Sequence, residues 1–124
     1  VFTPESTKRI SEILDSVASN DGSGYRAVID GYSVAGKTGT AEMVIDRSYD
    51  KEGAQRTYFV GFSPAQNPKY IMAVRLDHPK KCFVYRRPEL KRRCEGSNSA
   101  SIAFKKAMQR ILINDSEINS QVES

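Results

Sequence analysis

Residues 31–38 read Gly-Tyr-Ser-Val-Ala-Gly-Lys-Thr, which matches the phosphate-cradling pattern G-x-x-x-x-G-K-[ST] letter for letter. Such a loop needs a helix to begin at the Gly-Lys-Thr, because backbone N–H groups at a helix N-terminus bind the phosphates. Asp77, at the end of an apolar run, could stand in for the magnesium-holding acid. Two features oppose this reading. Thr38-Gly39-Thr40 is poor helix material. A phosphate loop also belongs to a parallel sheet with crossover helices, and the later residues of this chain read as a hairpin. The same residues support a different chemistry. Lys37 beside the hydroxyls of Thr38 and Thr40 can hold a carboxylate through charge-assisted hydrogen bonds. Backbone N–H groups of a strand edge can stabilise a developing oxyanion. Gly39 leaves room for an extended peptide to lie alongside as an added strand. The plain alternative is an ordinary edge strand with a solvated lysine.

Other reactive residues lack the right surroundings. Ser48-Tyr49-Asp50-Lys51 spells Ser-x-x-Lys, but it falls in a polar stretch where its lysine stays solvated and is a poor base. No Ser-x-Asn occurs. His78 is the only histidine, set between Asp77 and Pro79, and reads as structural. His78, Cys82 and Cys94 offer at most three metal ligands without a recognised spacing, so neither a metal site nor any other cofactor is expected.

The elements that must position Lys37 follow from periodicity and punctuation. Thr3-Pro4-Glu5 starts a helix, with Thr3 as cap, and Ile10, Ile13, Leu14, Val17 and Ala18 form its apolar stripe. Asn20-Asp21-Gly22-Ser23-Gly24 ends it. Residues 25–29 make a short strand, residues 32–45 a β-branched, glycine-bearing strand, and residues 46–55 a polar surface loop. Residues 57–62 and 70–76 are clear strands joined by the turn Ser63-Pro64-Ala65-Gln66-Asn67-Pro68. Asn98 or Ser99 can cap a last helix, with Ala100, Phe104, Ala107, Met108, Ile111 and Leu112 buried. The polar residues 113–124 read as a frayed tail. The expected class is α+β: an antiparallel sheet of about three strands with the N- and C-terminal helices packed on one face.

The chain has 124 residues, enough for one domain or a portion of one. No apolar run approaches the ~18 residues of a membrane span. Of 19 Lys and Arg residues, seven fall between Lys80 and Arg93 against Glu89 alone. That stretch therefore carries +6 of a total of +4, leaving −2 elsewhere. Basicity confined to one segment argues against a nucleic-acid-binding face, and the segment reads as a solvated loop or as a dock for an acidic partner or anionic lipid.

The order of motifs resembles one family. Val34-Ala35-Gly36-Lys37-Thr38-Gly39-Thr40-Ala41-Glu42 resembles the Lys-Thr-Gly strand of penicillin-binding proteins, specifically the class B, division-type peptidoglycan D,D-transpeptidases. Asp21-Gly22-Ser23-Gly24 resembles the turn before that strand. Phe59-Val60-Gly61-Phe62-Ser63-Pro64-Ala65 with Asn67-Pro68-Lys69-Tyr70 resembles the next two strands, and residues 96–100 with Phe104-Lys105-Lys106 the start of the last helix. The resemblance implies that residues 1–112 are the C-terminal portion of a transpeptidase (serine β-lactamase-like) domain, with a basic two-cysteine insertion at 79–95. It implies a serine acyl-enzyme whose nucleophile, in Ser-x-x-Lys, lies outside this chain, so that the isolated chain is inactive. Lys37, Thr38, Gly39 and Thr40 would bind substrate. Lys37, and Thr40 through its backbone N–H, would act in catalysis. Implied partners are a stem peptide ending in D-Ala-D-Ala, β-lactams, the N-terminal part of the same domain, a membrane glycosyltransferase and other division proteins. The implied location is the periplasmic side of the bacterial inner membrane, with a membrane anchor elsewhere in the protein. A serine β-lactamase and a non-enzymatic penicillin-recognising sensor are the alternatives. In that oxidising location, Cys82 and Cys94, close enough in sequence to fold back on each other, are expected to form a disulfide.

Overall fold

The computed structural model describes residues 1–49, 54–80, 82 and 94–122. Helix α1 spans Pro4–Val17, and a single 3₁₀ turn follows at Tyr25–Ala27. Strand β1 is Ala35–Glu42; β2 (Val44–Ile45) and β3 (Ser48–Tyr49) make a small hairpin; β4 is Gln55–Ser63 and β5 Tyr70–Asp77. Helices α2 (Ala100–Ile113) and α3 (Ser116–Val122) close the chain. The fold is α+β. Strands β1, β4 and β5 form a three-stranded antiparallel sheet in that order, which leaves β1 at an edge.

The core lies between α2 and one sheet face. Along β4, Gln55, Thr57, Phe59, Gly61 and Ser63 are buried, as the period of two requires. Phe59 meets Phe104 of α2 with ring centroids 4.6 Å apart, and Met108 and Leu112 extend the contact, all with zero exposure. Gly36 and Gly61 pair in the register, and both are glycine for a steric reason. A Cβ on Gly36 would come within 2.7 Å of the Phe59 ring, and one on Gly61 within 2.8 Å of the Phe104 ring. The two glycines form the hollow that admits both aromatic rings, and β1 is thereby held against the core just before Lys37.

Several expectations change. Within residues 25–29 there is no strand: Tyr25–Ala27 form the 3₁₀ turn, and only an isolated bridge joins Ile29 to Tyr32. The long strand expected over residues 32–45 is split, since β1 ends at Glu42 and Val44 turns into the hairpin. In that hairpin, Asp46 and Arg47 both have positive φ, the conformation a two-residue turn between twisted strands demands. Ala107 is exposed, and Ser101 takes the buried place instead. Ser99 sits at the cap position of α2 without capping it.

The frayed tail is corrected most clearly. Residues 116–122 form α3. Ile118 is 5% exposed and joins the core. Asp115 accepts hydrogen bonds from the Tyr70 hydroxyl and the Ile118 N–H and pairs with Lys69 at 2.8 Å, and the Tyr32 hydroxyl donates to Asn119. The contacts from Tyr70, Lys69 and Tyr32 come from 45 to 87 positions away, which is why local polarity misjudged the segment.

Helix α1 starts as expected, with the Thr3 hydroxyl accepting from the Ser6 N–H. It lies against β1, yet none of its residues is buried, and Ile10 and Ile13 are 44% and 64% exposed. Of its apolar stripe, Ala18 just beyond the helix joins the core and Leu14 and Val17 are partly buried, while Ile10 and Ile13 stay exposed.

Candidate functional site: the Lys37 strand

The register of the sheet decides what Lys37 can reach. Lys37 pairs with Val60, and Val60 with Ala73, so the three share one face, opposite the one that packs on α2. Val60 is 42% exposed and its neighbour Ile71 76%, so Lys37 rises from an open apolar surface. Its ammonium donates to the Thr38 carbonyl at 3.1 Å and to the Thr38 hydroxyl at 3.4 Å. Among the described residues no carboxylate pairs with it. A cation bound only to its own strand is available for an anion.

Thr38 and Thr40 fall on the other alternation of β1. Thr38 pairs with Phe59 and Thr40 with Thr57. The structure brings the Thr38 hydroxyl to Lys37, but it turns the Thr40 hydroxyl elsewhere. Thr40 Oγ1 accepts the Gly96 N–H at 3.1 Å. Gly39 pairs with Tyr58, and a Cβ there would stand 3.3 Å from the Tyr58 Cβ. This is tight without being forbidden, in contrast with Gly36.

Gly96 is the site feature that sequence reading missed. A Cβ on it would lie 2.6 Å from the Tyr58 carbonyl oxygen, 2.7 Å from that of Gly39 and 2.9 Å from the Gly39 nitrogen. The segment before α2 is thus pressed onto the backbone of Gly39. Further bonds fasten it. Asn98 Oδ1 accepts the Glu95 N–H at 2.6 Å, and the Ser99 hydroxyl reaches both the Thr57 hydroxyl and the Glu95 carbonyl. Arg26 donates to the Ser97 carbonyl at 3.3 Å. The signal available in the sequence was a glycine that no turn requires. Two residues upstream, Cys94 is joined to Cys82 by a disulfide with a Cα separation of 5.6 Å.

The remaining candidates sit apart from Lys37. Asp77 accepts from Arg56 Nε at 2.9 Å and from Arg75 Nε and Nη2 at 2.8 Å each. Arg75 first, with Arg56, holds its carboxyl well below the usual carboxylate range. His78 is exposed at positive φ, and its N–H donates to the Gln55 carbonyl at 2.8 Å. Ser48 lies in β3; Lys51 and most of the basic insertion fall outside the described residues. No metal-holding group of His, Cys, Asp or Glu occurs among the described residues. A strand runs through Lys37, so the helix a phosphate loop needs is absent there, and that reading is withdrawn.

Known proteins agree with the strand reading. Residues 1–109 match the family model of the penicillin binding protein transpeptidase domain. The chain belongs to that family. It is 34% identical over 113 residues to the peptidoglycan D,D-transpeptidase FtsI of Buchnera aphidicola, covering 90% of this chain and 18% of that protein. It is 41% identical over 80 residues to the stage V sporulation protein D of Bacillus subtilis, covering 64% of this chain and 12% of that one. Among solved structures, the transpeptidase domain of Burkholderia pseudomallei penicillin-binding protein 3 superposes with a TM-score of 0.74 at 29% identity, over 90% of this chain and 30% of that one. The chain therefore spans less than a fifth of the length of these two curated relatives.

Proposed function

We propose that this chain forms one wall of the active site of a serine-type peptidoglycan D,D-transpeptidase of class B. The observation that supports this most is the ammonium of Lys37, with no carboxylate partner among the described residues, on an edge strand above an exposed apolar face. In this reading the nucleophilic serine and its lysine belong to the N-terminal part of the same domain, which covers that face. Lys37 and the Thr38 hydroxyl hold the terminal carboxylate of a stem peptide ending in D-Ala-D-Ala, or the equivalent group of a β-lactam. The peptide lies along the open edge of β1 beside Gly39. The Thr40 backbone N–H faces the oxyanion as the serine attacks the amide carbonyl. D-Alanine leaves, and the amine of a neighbouring stem takes the acyl group. The isolated chain lacks a nucleophile and is inactive.

By family resemblance the complete protein is anchored in the inner membrane, works in the periplasm during cell division, and associates with a membrane glycosyltransferase and other division proteins. Among the described residues no helix is long and apolar enough to cross a membrane. The test incubates the complete protein with a D-Ala-D-Ala stem peptide and, separately, with a β-lactam. Released D-alanine, crosslinked product and a long-lived acyl adduct are expected. Rapid hydrolysis of the β-lactam without crosslinking would replace the reading with a β-lactamase, and an adduct without crosslinking with a sensor.

A further inference from the structure

We propose that the Cys82–Cys94 disulfide is a positioning element of the Lys37 wall, acting through Gly96, and that its reduction slows acylation; this rests on the transpeptidase reading above. Three observations meet at one place. Cys94 is 7% exposed and bonded to Cys82, five residues beyond the end of β5 at Asp77. Two residues after Cys94, Gly96 lies on the backbone of Gly39 and donates its N–H to Thr40 Oγ1. Gly39 and Thr40 are the residues whose backbone must face the substrate.

The physical argument is one of chain length. Without the bridge, β5 and Gly96 are joined by the whole run from residue 78 to 95. With it, only a few residues on each side of the disulfide separate them. The cost of closing a loop rises with the logarithm of its length, so the bridge raises the fraction of time Gly96 spends seated on β1. A seated Gly96 supports Thr40 from the α2 side, away from Lys37. An unseated one removes that support from the Gly39–Thr40 stretch of β1, which is paired to β4. Reduction by a dithiol transfers two electrons and two protons to the bridge: the sulfur–sulfur bond breaks, two thiols form, and the dithiol becomes a disulfide.

The experiment uses the complete protein, folded, with and without dithiothreitol, and a fluorescent penicillin. Reduction is expected to slow the acylation step about three- to tenfold, a span typical of coupling through packed residues, with little change in the non-covalent affinity for the penicillin. The double variant Cys82→Ser with Cys94→Ser should reproduce the reduced rate under oxidising conditions. In Gly96→Ala, reduction should have no further effect, because the relay is already broken. Thr40→Val serves the same purpose should Gly96→Ala fail to fold. Amide hydrogen exchange of the Gly96 N–H, expected to quicken on reduction, judges the link even in protein that no penicillin acylates; the absence of any acylation would instead count against the transpeptidase reading. Equal rates and equal exchange in the oxidised and reduced forms, or the same fold loss in the Gly96→Ala background, would overturn the proposal.

Discussion

Lys37 and Val60 stand opposite each other on β1 and β4 and share the sheet face turned away from α2. The pairing puts the one cation of the Lys-Thr-Gly segment over apolar residues that remain 42% to 76% exposed at Val60 and Ile71. An exposed apolar sheet face needs a cover. In the proposed account that cover is the part of the domain carrying the nucleophile. Val60→Ala in the complete protein should then lower unfolding stability in urea by roughly 1.5–3 kcal/mol, because a buried apolar side chain is removed. A change within about 0.5 kcal/mol, the usual result at a surface position, would mean the face is solvated.

Gly36 is predicted to be the least replaceable residue of β1. Alanine there drives its methyl into the Phe59 ring and the Val60 carbonyl, both 2.7 Å from the added carbon. Overpacking of this kind costs about 1–3 kcal/mol. Gly39→Ala meets only Tyr58 at 3.3 Å and should cost much less. Thermal melting of the two variants side by side checks the order, and Gly39→Ala proving the more damaging would contradict it.

The docking of α3 should be sensitive to acid. Lys69 first, then the Tyr70 hydroxyl and the Ile118 N–H, hold the Asp115 carboxyl well below the usual carboxylate range. A depressed folded value gives stability that is fully present above the ordinary carboxylate pKa of about 4 and is lost as pH falls below it. Amide exchange in residues 115–122 should therefore be flat from neutral pH down to about 5 after correction for intrinsic rates, and should accelerate below about 4. Asp115→Asn should remove that dependence. Protection that instead increased on acidification would contradict the assignment.

What was legible in the sequence was what local pattern controls. The period of two in residues 57–62 and 70–76 located β4 and β5, and Thr3-Pro4-Glu5 located the start of α1. The strand through Lys37 was legible because Thr38-Gly39-Thr40 is poor helix material, and the role given to Lys37 belongs to the proposed function. The errors lie where distant residues decide. The α3 segment is polar locally, and its order comes from Tyr32, Lys69 and Tyr70. Gly96 reads as a spacer until it is seen against Gly39. Ile10 and Ile13 were expected to be buried, and within this chain they are not, since one-dimensional periodicity cannot say what supplies the opposing surface.

The central claim is that Lys37 faces the substrate carboxylate, and the rate of acylation by a β-lactam tests it most directly. The measurement is the second-order acylation rate constant of the complete protein, followed by mass spectrometry of the acyl adduct, for the wild type and Lys37→Ala. Loss of a charge-assisted hydrogen bond worth roughly 1.5–3 kcal/mol predicts a decrease of about 10- to 150-fold, with the melting temperature nearly unchanged because Lys37 makes no ion pair among the described residues. An acylation rate in Lys37→Ala equal to that of the wild type would contradict the account.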